Sequence, residues 1–182
     1  MAVVSAVAQA PSVPKILGLF QQLNLAKNPP PGAKPPPVSF VLTEAEVNDY
    51  LAYSLKTNPR PGLDSTRVKF FPGNYISTFI ELDFDEVEKW KPGTIPTLLR
   101  PVLGGKKAVW VDIRFAVNSS LATFTIEKAY YQSVRIPALV VEKMIQVVAA
   151  RQPEKYDTSK PVPLPFGLKH AWTGAQKAGG NT

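Results

Sequence analysis

Val109-Trp110-Val111-Asp112-Ile113-Arg114-Phe115-Ala116-Val117 runs into Asn118-Ser119-Ser120 and returns as Leu121-Ala122-Thr123-Phe124-Thr125-Ile126-Glu127. Valine, isoleucine and phenylalanine fall on every second position, opposed by Trp110, Asp112 and Arg114. That period of two belongs to a strand with one apolar face, because successive strand side chains point to opposite sides. On the return, Phe124, Ile126 and Tyr130 alternate with Thr123, Thr125 and Glu127, which predicts a hairpin. Asn118-Ser119-Ser120 also fits a glycosylation sequon, but turn chemistry accounts for it.

Upstream the same period recurs. Val68 and Phe70 lead to the turn Pro72-Gly73-Asn74, after which Ile76, Thr78, Ile80, Leu82 and Phe84 share a face against Ser77, Glu81 and Asp83. A short helix is expected from Asp85, as N-cap, to Trp90, followed by a Pro-punctuated apolar flap over Lys91–Gly105. Before the hairpins, Thr43-Glu44-Ala45-Glu46 is a capping box that opens a helix with Val47, Tyr50, Leu51, Ser54 and Leu55 on one face. Pro59, Pro61 and Gly62 end it. After them, Pro137 opens a helix to about Arg151 whose Leu139, Val140, Met144, Ile145, Val147 and Val148 make it apolar over more than half its circumference. Hairpins and helices in separate runs predict an α+β fold, a single domain with antiparallel sheet.

The ends read differently. Ala2–Ala10 is small and apolar and finishes Ala8-Gln9-Ala10 before Pro11, so residues 1–10 read as a signal-peptide remnant and the protein as exported to the periplasm or cell envelope. Residues 11–28 form a docking helix, with Ser12 as N-cap and Ile16, Leu19, Phe20 and Leu23 apolar. Residues 29–37 hold six prolines and predict an extended spacer. The α+β domain spans 38–176, with Pro161–Leu168 leading into a last strand, Lys169–Gln176, and 177–182 a flexible tail.

The composition narrows the chemistry. With 182 residues the chain buries core enough without staples, and it has no cysteine and one histidine, which removes thiol chemistry, zinc ribbons and histidine-rich metal sites. The net charge is +7, yet every acidic residue lies between Glu44 and Asp157. That stretch is nearly neutral, so the excess comes from Lys15, Lys27, Lys34, Lys160, Lys169 and Lys177. Basic ends suit weak contact with an anionic membrane surface better than a nucleic-acid partner, which needs clustered cations. The carboxylates of Asp83, Asp85, Glu86 and Glu88 are explained by a helix N-terminus, and His170 has no nucleophile motif beside it. Gly104-Gly105-Lys106-Lys107 lacks phosphate-loop spacing and reads as a turn. No catalytic residue, metal site, cofactor or enzymatic activity is expected.

The excess of large apolar side chains is the informative feature. Leu51, Leu55, Ile80, Val111, Ile113 and Phe124, with Val140, Met144 and Val148 of the last helix, either fill a core or line a cleft for an apolar ligand. Thr43–Asn48, Glu81-Leu82-Asp83-Phe84, Arg135-Ile136-Pro137 and Pro163–Leu168 together resemble a set of exported or membrane-tethered bacterial proteins of unknown function. These are similar in outline to bacterial relatives of the tubular lipid-binding (TULIP-like) superfamily. The resemblance covers Ser39 to about Gln176 and carries over no functional residue. It implies a long twisted antiparallel sheet wrapped on a hydrophobic helix, with a groove for lipid or an apolar partner; this chain holds one such unit. The expected function is therefore non-catalytic binding of a lipid or other apolar ligand in the envelope. The alternative is an envelope scaffold with a solid core, binding a protein or polyanion through its basic termini.

Overall fold

The structure, a computed structural model, describes residues 10–90, 92–93, 104–132, 134–137, 141 and 160–182. Among them the order is α1 (Ser12–Lys27), β1 (Ser39–Thr43), α2 (Glu44–Thr57), β2 (Leu63–Phe71), β3 (Tyr75–Asp83), α3 (Phe84–Trp90), β4 (Lys106–Asn118), β5 (Leu121–Tyr131), β6 (Val134–Ile136), β7 (Val162–Pro163), a 3-10 turn at Pro165–Gly167, β8 (His170–Gly174) and β9 (Lys177–Asn181). The fold is α+β. One open sheet runs β2-β3-β4-β5-β6, with β7 on the other end of β5, and a second runs β1-β9-β8. Every pairing is antiparallel.

Both predicted hairpins form. Gly73 and Asn74 take φ of 77° and 57° in the first turn, and Ser119 and Ser120 take 49° and 67° in the second. In the second, Ser119 and Ser120 alone separate the paired Asn118 and Leu121, a two-residue turn whose twist matches that of the flanking strands, whereas the first turns over three residues between Phe71 and Tyr75. The second hairpin departs from strict alternation, because Asp112 pairs with Lys128 while Ile113 pairs with Ile126, leaving Glu127 as a bulge. The bulge flips the parity of everything after it. Tyr130 therefore belongs to the outer face opposite Trp110, and Ala129 and Tyr131 take the apolar positions opposite Val111 and Val109.

The capping box at α2 is complete. Glu46 N–H donates to Thr43 Oγ1 at 3.2 Å and Thr43 N–H donates to the Glu46 carboxylate at 2.8 Å. Lys15 Nζ on α1 lies 2.5 Å from the same carboxylate, and its hydrogen bond, then the Thr43 amide, hold the Glu46 pKa below its ordinary 4.5. A lowered carboxylate pKa gives stability that is present above the unfolded value and lost as pH falls through the folded one. Glu46→Gln keeps a side chain able to close the box but loses the charge pair. Its stability deficit is expected to be about 0.5 kcal/mol at neutral pH and to vanish in acid below the carboxylate range. Urea unfolding of both proteins across pH 3–7 checks it; a deficit that persists undiminished in acid would contradict the linkage.

Two expected caps move. The Asp83 carboxylate, not Asp85, accepts from the Asp85 and Glu86 amides at 3.1 and 3.2 Å, so α3 starts at Phe84. Ser12 caps nothing, because its hydroxyl donates to Asp49 on α2 at 2.5 Å. The spacer is also not uniformly extended. Ala33 N–H donates to Pro30 C=O at 3.0 Å across Gly32, whose φ of 78° suits a turn.

The helix expected merely to dock is part of the core. Val13, Ile16 and Leu23 of α1 are each 1% exposed. Leu23 packs with Val38 and Leu168, ringed by Phe20, Phe40, Leu164 and Phe166. Phe20 stacks on Phe166 at 5.5 Å and meets Tyr50 of α2 edge-on at 5.2 Å. The expected flexible tail is corrected as well. Lys177–Asn181 is β9, the central strand of the small sheet, while the strand expected over Lys169–Gln176 stops at Gly174. The two sheets are tied at one corner. Thr173 Oγ1 donates to Phe71 C=O at 2.8 Å, Thr173 N–H to the Asn74 side chain at 3.0 Å, and Gln176 N–H to Phe70 C=O at 3.1 Å.

Residues 1–10 of the signal reading fall almost wholly outside the described residues, as does most of the Lys91–Gly105 flap. The 137–151 helix does so too, apart from Pro137 and Val141.

Candidate functional site

The register decides which side chains share the inner face of the large sheet. Ile76, Thr78 and Ile80 on β3 oppose Ile113, Val111 and Val109 on β4. Those in turn meet Ile126, Ala129 and Tyr131 on β5, and Phe115 opposes Phe124 with ring centroids 6.3 Å apart. The strands thus lay down a largely apolar surface, with Thr78 within it, over Ile76–Ile80, Val109–Val117 and Ala122–Ile126 on this side, and the half-buried Lys107 stands opposite Leu82 at one end. Val111 and Ala129 are buried together with Val141, the one described residue of the last helix. At one end Phe84 and Tyr131 close the surface with Leu82 and Ile136, and burial raises the Tyr131 pKa. Beyond them the cover is uneven: Ile113 and Ile126 are half-buried and Phe124 is 50% exposed, whereas Phe115 at 8% and Ala122 at 1% are buried.

Of the expected lining residues, Ile80, Val111, Ile113 and Phe124 share this face. Leu51 and Leu55 stand elsewhere. They follow Asn48 at helical spacing on α2, and the Asn48 side chain bonds both the N–H and C=O of Val68 at 2.8 and 2.9 Å. That pairing satisfies the outer edge of β2, so α2 flanks the sheet at its edge and places Leu51 and Leu55, both half-buried, beside β2. Val140, Met144 and Val148 lie outside the described residues. Alternation alone misses Ala129 and Tyr131, since the bulge moves them inward; the adjacent charges Glu127-Lys128 inside a strand are the signal of that slip.

The polar candidates have structural duties. Asp83 caps α3, Glu86 pairs with Lys89 at 2.8 Å and Glu88 accepts from Gly93 N–H at 2.7 Å. His170 is exposed at the start of β8, opposite Asn181. Gly105, with φ of 65°, makes the turn into β4 and its carbonyl accepts from Phe84 N–H at 3.1 Å. Among the described residues no group of three His, Cys, Asp or Glu is placed to hold a metal ion, and no helix is long and apolar enough to cross a membrane. What this face offers is removal of hydrocarbon from water.

No family model matches the chain, and no curated protein matches it. Among solved structures it has a distant likeness to a crystal structure of lipopolysaccharide binding protein, at 10% identity and a TM-score of 0.23. The match covers 79% of this chain and spans 39% of that one, and a likeness at that level carries no argument about ligand.

Proposed function

We propose that the protein binds a lipid acyl chain or other apolar ligand against the inner face of the large sheet, without catalysing a reaction. The observation that carries this reading is the apolar face itself, continuous across β3, β4 and β5 yet only half-covered at Ile113, Ile126 and Phe124. An acyl chain of about a dozen methylenes gains on the order of 10 kcal/mol gross at ~0.8 each, enough for useful affinity after ordering costs. The envelope is the proposed address, supported by the small apolar stretch ending Ala8-Gln9-Ala10.

Native mass spectrometry of protein purified without detergent is expected to show co-purified lipid, and a fluorescent fatty acid to bind saturably. A clean apo mass together with no uptake sinks the proposal. Phe124→Asp places a carboxylate in the open part of the face at little cost in folding, since half of the ring already meets solvent. Uptake is expected to weaken roughly 10- to 100-fold, the worth of one buried aromatic side chain. Unchanged affinity in this variant would move the ligand off this face.

A further inference from the structure

The outer face of the large sheet carries a row with no part in the reading above. Register sets Arg67 opposite Phe79, Phe79 opposite Trp110, Trp110 opposite Tyr130 and Tyr130 opposite Arg135. Five adjacent strands each contribute one residue to a line about 19 Å long, with three aromatic side chains in the middle and a guanidinium at either end. Phe79 and Trp110 pack with centroids 4.5 Å apart, and Arg67 lies 5.2 Å over the Phe79 ring. Trp110 is 37% exposed, and both arginines are exposed.

The charges around this row divide unevenly. The neighbouring row runs Lys69, Ser77, Asp112, Lys128. Of the carboxylates nearby, Glu127 is paired with Arg114 at 2.8 Å; Glu81 accepts from the Ser65 hydroxyl, a neutral partner that offsets no charge, and Asp112 stands between Ser77 and Lys128 in the row. Arg67, Lys69, Lys128 and Arg135 form no ion pair among the described residues. Among the described residues four cations without an ion pair thus stand against two such carboxylates, so the excess charge beside this row is positive, with two cations at each end of an aromatic centre.

We propose that this outer face docks the protein on an anionic lipid bilayer. Tryptophan and tyrosine favour the headgroup region, where an apolar ring and a polar edge are both satisfied, and basic side chains add attraction to anionic lipid. A single-stranded nucleic acid would meet the same charges, but it binds by stacking bases on open ring faces. Here Arg67 and Trp110 crowd the Phe79 ring, whereas ring edges among headgroups need no open face. The surface is opposite the proposed ligand face, so either assignment can fail alone.

The test is co-sedimentation of the full chain with phosphatidylcholine vesicles containing roughly 30% phosphatidylglycerol, against pure phosphatidylcholine. Binding is expected only to the anionic vesicles and is expected to fall at high salt. The double variant Arg67→Gln/Arg135→Gln is expected to bind about 30-fold more weakly, with fatty-acid uptake unchanged. Lys69→Gln/Lys128→Gln, a second pair of exposed positions, is expected to fall in the same direction. Quenching of tryptophan fluorescence by brominated lipid should drop sharply in Trp110→Phe. Vesicle binding within twofold of wild type in both double variants overturns the proposal. So does saturable binding of a single-stranded oligonucleotide without binding of vesicles.

Discussion

Replacing Gly179 by alanine is expected to destabilise the protein by about 2–3 kcal/mol and to lower its Tm by roughly 5–10 °C. Gly179 sits in the central strand β9, opposite Val41 of β1 and Trp172 of β8. A Cβ there would stand 2.7 Å from the Phe40 carbonyl oxygen and 2.7 and 2.9 Å from two atoms of the Trp172 indole. Trp172 can swing aside, because it is 38% exposed, though it would leave the glycine surface it covers and the Lys177 ammonium 6.0 Å from its ring. The Phe40 carbonyl has no such freedom, since Phe40 is held in the ladder opposite Gly180. Gly18→Ala is the control: it lies in α1 with nothing within 4 Å of the added atom and is expected to stabilise by about 0.5–1 kcal/mol. Thermal unfolding followed by circular dichroism separates the two. Equal Tm values in Gly179→Ala and wild type would mean that β9 does not pack as described.

That strand also marks where local reading stops. Gly179-Gly180 near the chain end has the composition of a frayed tail, and a pair of glycines carries no hydrophobic period to say otherwise. Their reason is tertiary, because Phe40, His170 and Trp172 crowd them from neighbouring strands. The capping box at Thr43 and the turns at Asn74 and Ser119 were legible because the interactions that define them lie within four residues, the contacts from Lys15 and Thr173 being added to motifs already complete. The α3 cap was a near miss of the same local kind. Asp83 and Asp85 both suit an N-cap, and the choice fell to the residue that ends β3.

The candidate site divides along the same line. Period two was enough to put Val111 and Ile113 on one face, and Ile80 and Phe124 joined them because the hairpins pair in register. Helical period correctly grouped Leu51 with Leu55, but it cannot tell which wall a helix occupies. Asn48, read as an unremarked polar residue, fixes α2 at the edge of β2. The outer row from Arg67 to Arg135 is invisible in sequence, since its five residues are up to 68 positions apart and meet only through four registers and one bulge.

Leu23→Ala is expected to cost about 3 kcal/mol, because the side chain is 1% exposed and its removal leaves a void that the surrounding rings fill only partly. Its neighbours come from distant parts of the chain: Val38 leads into β1 and Leu168 follows the 3-10 turn that ends the proline-rich approach to β8. Thr182 N–H donates to Val38 C=O at 3.0 Å and Lys169 N–H to Asn181 C=O at 2.8 Å, so the same void loosens both flanks of β9. Hydrogen exchange is therefore expected to speed up together in α1, β1 and β9, while the β3–β4 ladder keeps its protection until global unfolding. Leu25→Ala, two residues on and 55% exposed, should leave Tm nearly unchanged. The contrast decides the standing of α1. A Leu23→Ala variant as stable as Leu25→Ala would make the helix an appendage, whereas a loss shared with β9 makes it the element on which the small sheet is built.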